Sequence, residues 1–115
     1  MKKETVFLEH ILENIKKIEE FSKDASKNEI IENIQKQYAL IRAVEIIGEA
    51  VRNLPDDFTK KHPDIPWKEV IGTRDKLIHH YFGVDLDILW EIIKGDIPKL
   101  KKQIKQIKEK NKEIT

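Results

Sequence analysis

In RDKLIHHY, residues 74 to 81, an arginine, an aspartate, two adjacent histidines and a tyrosine fall within eight positions. The chain has four histidines, so half of them sit in this octapeptide. Unperturbed imidazole titrates at about pH 6.5, so His79 can take up and return a proton near neutrality. Arg74 offers a planar fork of donors that matches two oxygens of a phosphate. Asp75 precedes His79 by four residues, one turn if the segment is helical, where its carboxylate would hold the imidazole and favour the charged form. Tyr81 has a hydroxyl that can donate, accept or be modified. An arginine for the anion and a histidine for the proton are the parts needed to cleave a phosphodiester without a metal.

Competing chemistries fit these spacings less well. A metal site needs several ligands at workable intervals, and neither H-x-x-x-H nor E-x-x-H occurs. His10 and His62 have no partner ligand at motif spacing, so no metal and no cofactor are expected. The plain structural alternative is a histidine pair satisfied by hydrogen bonds at a helix end. With no cysteine in the chain, disulfides and thiolate metal sites are excluded.

The elements that must carry the octapeptide follow from periodicity. Apolar residues recur at helical spacing nearly everywhere, and strand alternation is absent. Leu8, Ile11, Leu12, Ile15 and Ile18 form one stripe, predicting a helix over about 4–22. After a loop, Asn28 is a plausible cap for a long helix over about 29–54 that ends at Pro55. PDDFTKKHPDIP reads as an ordered but irregular connection. Pro66 then opens a third main helix through WKEVIGTRDKLIHHYF, ended by Gly83. Asp85 or Asp87 caps the last helix, and Pro98 inside it predicts a kink or break near Gly95. Helices of this number and length imply an all-α, up-and-down bundle of four to five members. At 115 residues the chain is read as a single domain, 1–115.

Two helix features ask for more than core packing. Gly48 in AVEIIGEAV costs about 1 kcal/mol relative to alanine in a helix, which points to a second backbone in close approach. Gln35, Tyr38, Arg42, Glu45, Glu49 and Arg52 share one face of the same helix. That stripe is either a solvated surface laced with ion pairs or a polar wall facing a cleft.

Net charge is +1, against a general coat of positive potential. Residues 99 to 115 are Lys-rich, which most often means a solvated helix end with cations near the C-terminal dipole. MKKETVFLEHILENIKK meets charges too often for a signal peptide, and no apolar run approaches the roughly 20 residues that span a bilayer, so a cytoplasmic protein is expected.

A regular helix poses a problem for the octapeptide. Five residues of helix turn His79 about 140° away from Arg74. Either the helix bends there or a second copy of the chain completes the site.

The octapeptide resembles the R-x-x-x-x-H-x-Y motif of HEPN-domain proteins, specifically the HepT toxin family. The resemblance extends through IRAVEIIGEAVRNLP, HPDIPWKEVIGTRDKLIHHYFGVDLDILWEII and DIPKLKKQI, almost the whole chain. Asp75 stands where that family often has Asn. The resemblance implies a homodimeric HEPN-like bundle with two motif copies in a shared cleft. It implies a metal-independent endoribonuclease acting on RNA, the toxin of a type VII toxin–antitoxin module. Arg74 and His79 would be the catalytic pair, with Arg74 on the scissile phosphate and His79 as acid or base. Asp75 and Glu49 would support them. Tyr81 matches the tyrosine to which a minimal nucleotidyltransferase antitoxin attaches AMP, a bulky anion beside the catalytic histidine. The rival expectation is a non-catalytic HEPN module that binds nucleotide or a nucleotidyltransferase subunit.

Overall fold

The computed structural model describes residues 3–79 and 83–114, without the side chains of His79 and residues 111–114. Helix α1, Lys3–Ser22, buries Leu8, Ile11, Ile15 and Ile18 at the 3,4,3 spacing that puts them on one stripe. Its end turns through Asp24, whose φ of 57° is a left-handed conformation that aspartate tolerates better than most residues. Ser26, not Asn28, caps the next helix, accepting the Glu29 N–H at 3.2 Å.

The expected long helix over 29–54 is two helices, α2 (Lys27–Glu32) and α3 (Ile34–Arg52). Asn33 divides them. Its side chain accepts the Lys36 N–H at 3.0 Å and starts α3, while its own N–H closes on the Ile30 carbonyl. Gln37 Nε2 donates to the Ile30 and Ile31 carbonyls, both at 2.9 Å, so the end of α2 keeps its acceptors satisfied. Leu40, Ile41, Val44, Ile47 and Val51 turn the inner face of α3 against α1, the main packing of the bundle.

The proline-rich connection holds a short helix, α4 (Asp56–Lys61), with Pro55 before its first residue. Trp67 pins this corner: its indole N–H donates to the carbonyls of Thr59 (3.2 Å) and His62 (3.0 Å), and its ring lies against Phe58. The expected third main helix is also divided, into α5 (Trp67–Ile71) and α6 (Thr73–Leu77), with Gly72 between them. From Ile78 the chain is extended. Ile78 pairs with Val84 and His79 with Gly83 in a two-residue antiparallel ladder, β1 (Ile78–His79) with β2 (Gly83–Val84). The Asp85 N–H donates to the Leu77 carbonyl at 2.8 Å, an acceptor that a continuing helix would have used. Gly83 does not end a helix; its φ of 75° marks the return of this hairpin.

Asp85 caps α7 (Leu86–Glu91), accepting the Ile88 N–H at 3.1 Å, as its type predicts. The expected break near Gly95 is a π-helical turn over Ile92–Asp96, in which the Ile97 N–H bonds back five residues to Ile92. Pro98 has no N–H to offer Lys94, and the wider turn accommodates that loss without ending the helix. Helix α8, Ile97–Ile114, buries Ile97, Leu100, Ile104 and Ile107 and is tied to α1 by Lys101–Glu19 at 2.7 Å. The described residues thus form an all-α bundle with one minimal hairpin. Among them, no helix is long and apolar enough to cross a membrane.

Candidate active site

Gly48 sets where Arg74 emerges. A Cβ there would lie 3.4 Å from the Val70 carbonyl oxygen and 3.6 Å from that of Ile71, so the last turn of α5 rests directly on the α3 backbone. The close approach inferred from Gly48 is therefore real, and it is made within the chain. It gives no argument for contact between two copies. Three residues past Ile71, Arg74 rises from α6 over the same side of α3.

Between these elements lies a polar cleft of about 260 Å³, lined by Val44, Glu45, Gly48, Glu49 and Arg52 of α3 with Ile71, Arg74 and Asp75. Three of the sequence-derived candidates, Arg74, Asp75 and Glu49, are thus brought together. The α3 stripe is the wall of this cleft from Glu45 to Arg52. Its Tyr38 end remains open to solvent.

Arg74 Nε lies 3.3 Å from Glu45 Oε2, and the same oxygen lies 3.9 Å from Arg42 Nη1. The Arg74 side chain is 58% exposed and that of Glu45 22%. Glu45 is the Arg74 neighbour that sequence reading left undistinguished among six polar residues. Its contact spans 29 positions, and only the meeting of α3 and α6 reveals it. Three carboxylates face two guanidiniums around the cleft, so in one copy of the chain it is not a basic pocket.

Two expectations are corrected here. Asp75 and His79 do not share a helical face, because the helix ends at Leu77 and His79 lies in β1. Asp75 lines the cleft instead. The conflict over aiming Arg74 and His79 from one regular helix lapses for the same reason: the chain leaves the helical path at Ile78. The His79 side chain and all of Tyr81 lie outside the described residues.

His10 and His62 make ring contacts elsewhere in the bundle, and His80 lies outside the described residues. His10 meets Phe7 edge-on, and His62 lies against Phe58 with ring centres 4.7 Å apart. Burial, and then the charge of Lys110, push His62 below its ordinary value of 6.5. Among the described residues, no group of three His, Cys, Asp or Glu side chains is placed to hold a metal ion. A larger groove of about 480 Å³ runs between α5–α6 and α7–α8, over Val70, Ile88, Ile92 and Leu100. It contains neither arginine nor histidine, whereas the smaller cleft holds Arg74 and is the candidate site.

Comparison with known proteins bears on the whole chain. The family model described as "Ribonuclease HepT-like" matches residues 11–107. "Putative RNase MJ1380" of Methanocaldococcus jannaschii is 52% identical over 98 residues, covering 85% of this chain and 90% of that protein. "Probable ribonuclease HepT" of Thermococcus cleftensis is 48% identical over 102 residues, covering 89% and 93%. "Putative RNase TTE0752" of Caldanaerobacter subterraneus is 47% identical over 112 residues, covering 97% and 100%. No solved structure gives a significant match. With a family match over most of its length, relatives near half identity and an all-α fold that brings Arg74 to a polar cleft, the chain belongs to the HepT-like ribonuclease family.

Proposed function

We propose that the chain is a metal-independent endoribonuclease, the toxin of a two-gene type VII toxin–antitoxin module. It acts as a homodimer and is silenced when a minimal nucleotidyltransferase attaches AMP to Tyr81. The observation that carries this reading is the intact order Arg74, His79, Tyr81 inside a family match that spans it. The relatives' names point to RNA as the substrate. In RNA the 2′-hydroxyl lies next to the scissile phosphorus. With His79 taking its proton and Arg74 stabilising charge on the phosphoryl oxygens, that hydroxyl attacks phosphorus to form a 2′,3′-cyclic phosphate, the P–O5′ bond breaks, the 5′-oxygen leaves as a hydroxyl with a proton from water, and no metal is needed. AMP on Tyr81, two residues from His79, would add a negative group where the phosphate must enter.

The test is direct. Arg74→Ala and His79→Ala should each lower cleavage by about 10²–10⁴-fold with the fold retained. Chelators should change nothing, and a 2′-deoxy substitution at the scissile position should protect the substrate. Full activity in His79→Ala, or loss of activity with EDTA, would overturn the mechanism. For Tyr81, intact-mass spectrometry after exposure to an active nucleotidyltransferase and ATP should show added AMP on that residue, and an unmodified chain would remove it from this role.

One observation favours a second reading, a non-catalytic module that binds a nucleotide or a nucleotidyltransferase. The cleft has more carboxylates than guanidiniums, and Arg74 is already engaged by Glu45. That reading expects no RNA cleavage by the purified chain at any concentration.

A further inference from the structure

Arg74 sits on an element poorly suited to aiming it. Helix α6 has five residues, lacks a side-chain cap, follows Gly72 directly and gives way to extended chain at Ile78. The arginine itself is long, more than half exposed and rich in rotamers. Yet stabilising a transferring phosphoryl group depends on donors that are in place before the reaction begins. Something outside α6 must supply the order.

We propose that Glu45 is the positioning residue for Arg74, an inference that rests on the endoribonuclease reading of this cleft. Glu45 is mostly buried and stands on α3, a 19-residue helix, next to the buried Val44 and about one turn before the buried Gly48. Its carboxylate meets Arg74 at Nε, the nitrogen nearest the stem. An arginine held by that edge has its outer pair of nitrogens directed away from the holder, as bidentate capture of a phosphate requires. Arg42 shares the same Glu45 oxygen, so the trio of two guanidiniums and one carboxylate keeps a net positive charge. Glu45 can therefore orient Arg74 without cancelling its attraction for a phosphate. Since Arg74 is well exposed, the pair contributes little to stability, and removing it should not disturb the fold.

The experiment is a double-mutant cycle on Glu45 and Arg74, with two readouts. In wild-type background, Glu45→Gln should lower kcat/KM on a short ribo-oligonucleotide by about tenfold or more, chiefly in kcat, as displacement of a reacting group does. Glu45→Asp, which keeps the charge but shortens the reach, should recover part of the loss. Affinity for an uncleavable 2′-O-methyl oligonucleotide should fall with Glu45→Gln in the wild type and not fall further in Arg74→Ala, because the effect runs through the arginine. Circular dichroism and thermal unfolding should be unchanged. Wild-type activity in Glu45→Gln overturns the proposal, as does a loss that adds in full to that of Arg74→Ala. Raised activity or tighter binding would also overturn it, since Glu45 would then be an internal anion competing with the substrate. If Arg74→Ala itself cleaves normally, the endoribonuclease reading of the cleft fails and the positioning role fails with it.

Discussion

A methyl group added at Gly48 would sit 3.4 Å from the Val70 carbonyl oxygen, at the near edge of ordinary contact. Gly48→Ala should therefore fold. It gains up to about 1 kcal/mol of helix propensity and gives some of that back in crowding. Gly48→Leu cannot fit. It should lift α5 from α3 and carry Arg74 out of the cleft, so cleavage should fall far more than thermal stability in a parallel assay. His62 provides a second residue-scale expectation. Burial and Lys110 lower its proton affinity in the fold, so the unfolded chain takes up a proton more readily. The stability held by neutral His62 is complete above pH 6.5 and is lost as pH falls below that value towards the lowered one. Unfolding midpoints of wild type should drop relative to His62→Gln over that acid window, and parallel curves would discount the effect.

Asn33 decides the geometry of the first half of the bundle, since one side chain ends α2 and starts α3. Asn33→Ala should cost about 0.5–2 kcal/mol, read from denaturant unfolding, because it deletes the cap on Lys36 N–H and favours a straight helix that the core does not accommodate. The stripes of α1, α3 and α8 were legible because buried Ile and Leu at 3,4,3 spacing admit one helical face. The breaks were harder. Asn33 is a cap former within an unbroken periodic run, and the pattern of the run concealed it. The turn at Ile78 was less legible still. No Gly or Pro precedes it within RDKLIHHYF, and the helix ends there because Asp85, eight residues beyond, takes the Leu77 carbonyl. A local pattern cannot register a distant partner. The same limit applies to the cleft: Arg74 and Glu49 could be singled out by type, whereas the Glu45 contact exists only once α6 lies across α3.

Among the described residues, a few large apolar side chains are left exposed by the core. Val6 and Phe21 are scattered exposed residues on α1, which soluble proteins commonly tolerate. Ile31, Ile34 and Tyr38 differ, because they flank the Asn33 junction together, with Ile34 63% and Tyr38 70% exposed. Ile34, Tyr38 and Arg42 follow one another at i,i+4 on α3, so the apolar patch runs into the Arg42–Glu45–Arg74 trio without a change of face. A two-fold contact presents the same patch twice. Two copies joined through Ile34 and Tyr38 would therefore bring their clefts to one rim and double the guanidiniums around a bound strand. Burying such side chains favours association by about 1.5–3 kcal/mol each, and a carboxylate placed among them must be desolvated without a partner. Ile34→Glu should accordingly shift the chain from dimer to monomer in sedimentation velocity. Helical content should stay the same, since residue 34 faces solvent within a single copy. RNA cleavage should fall with dimer population and recover as protein concentration is raised. A wild type that sediments as a monomer, or an Ile34→Glu variant that stays dimeric and fully active, would place the shared cleft elsewhere.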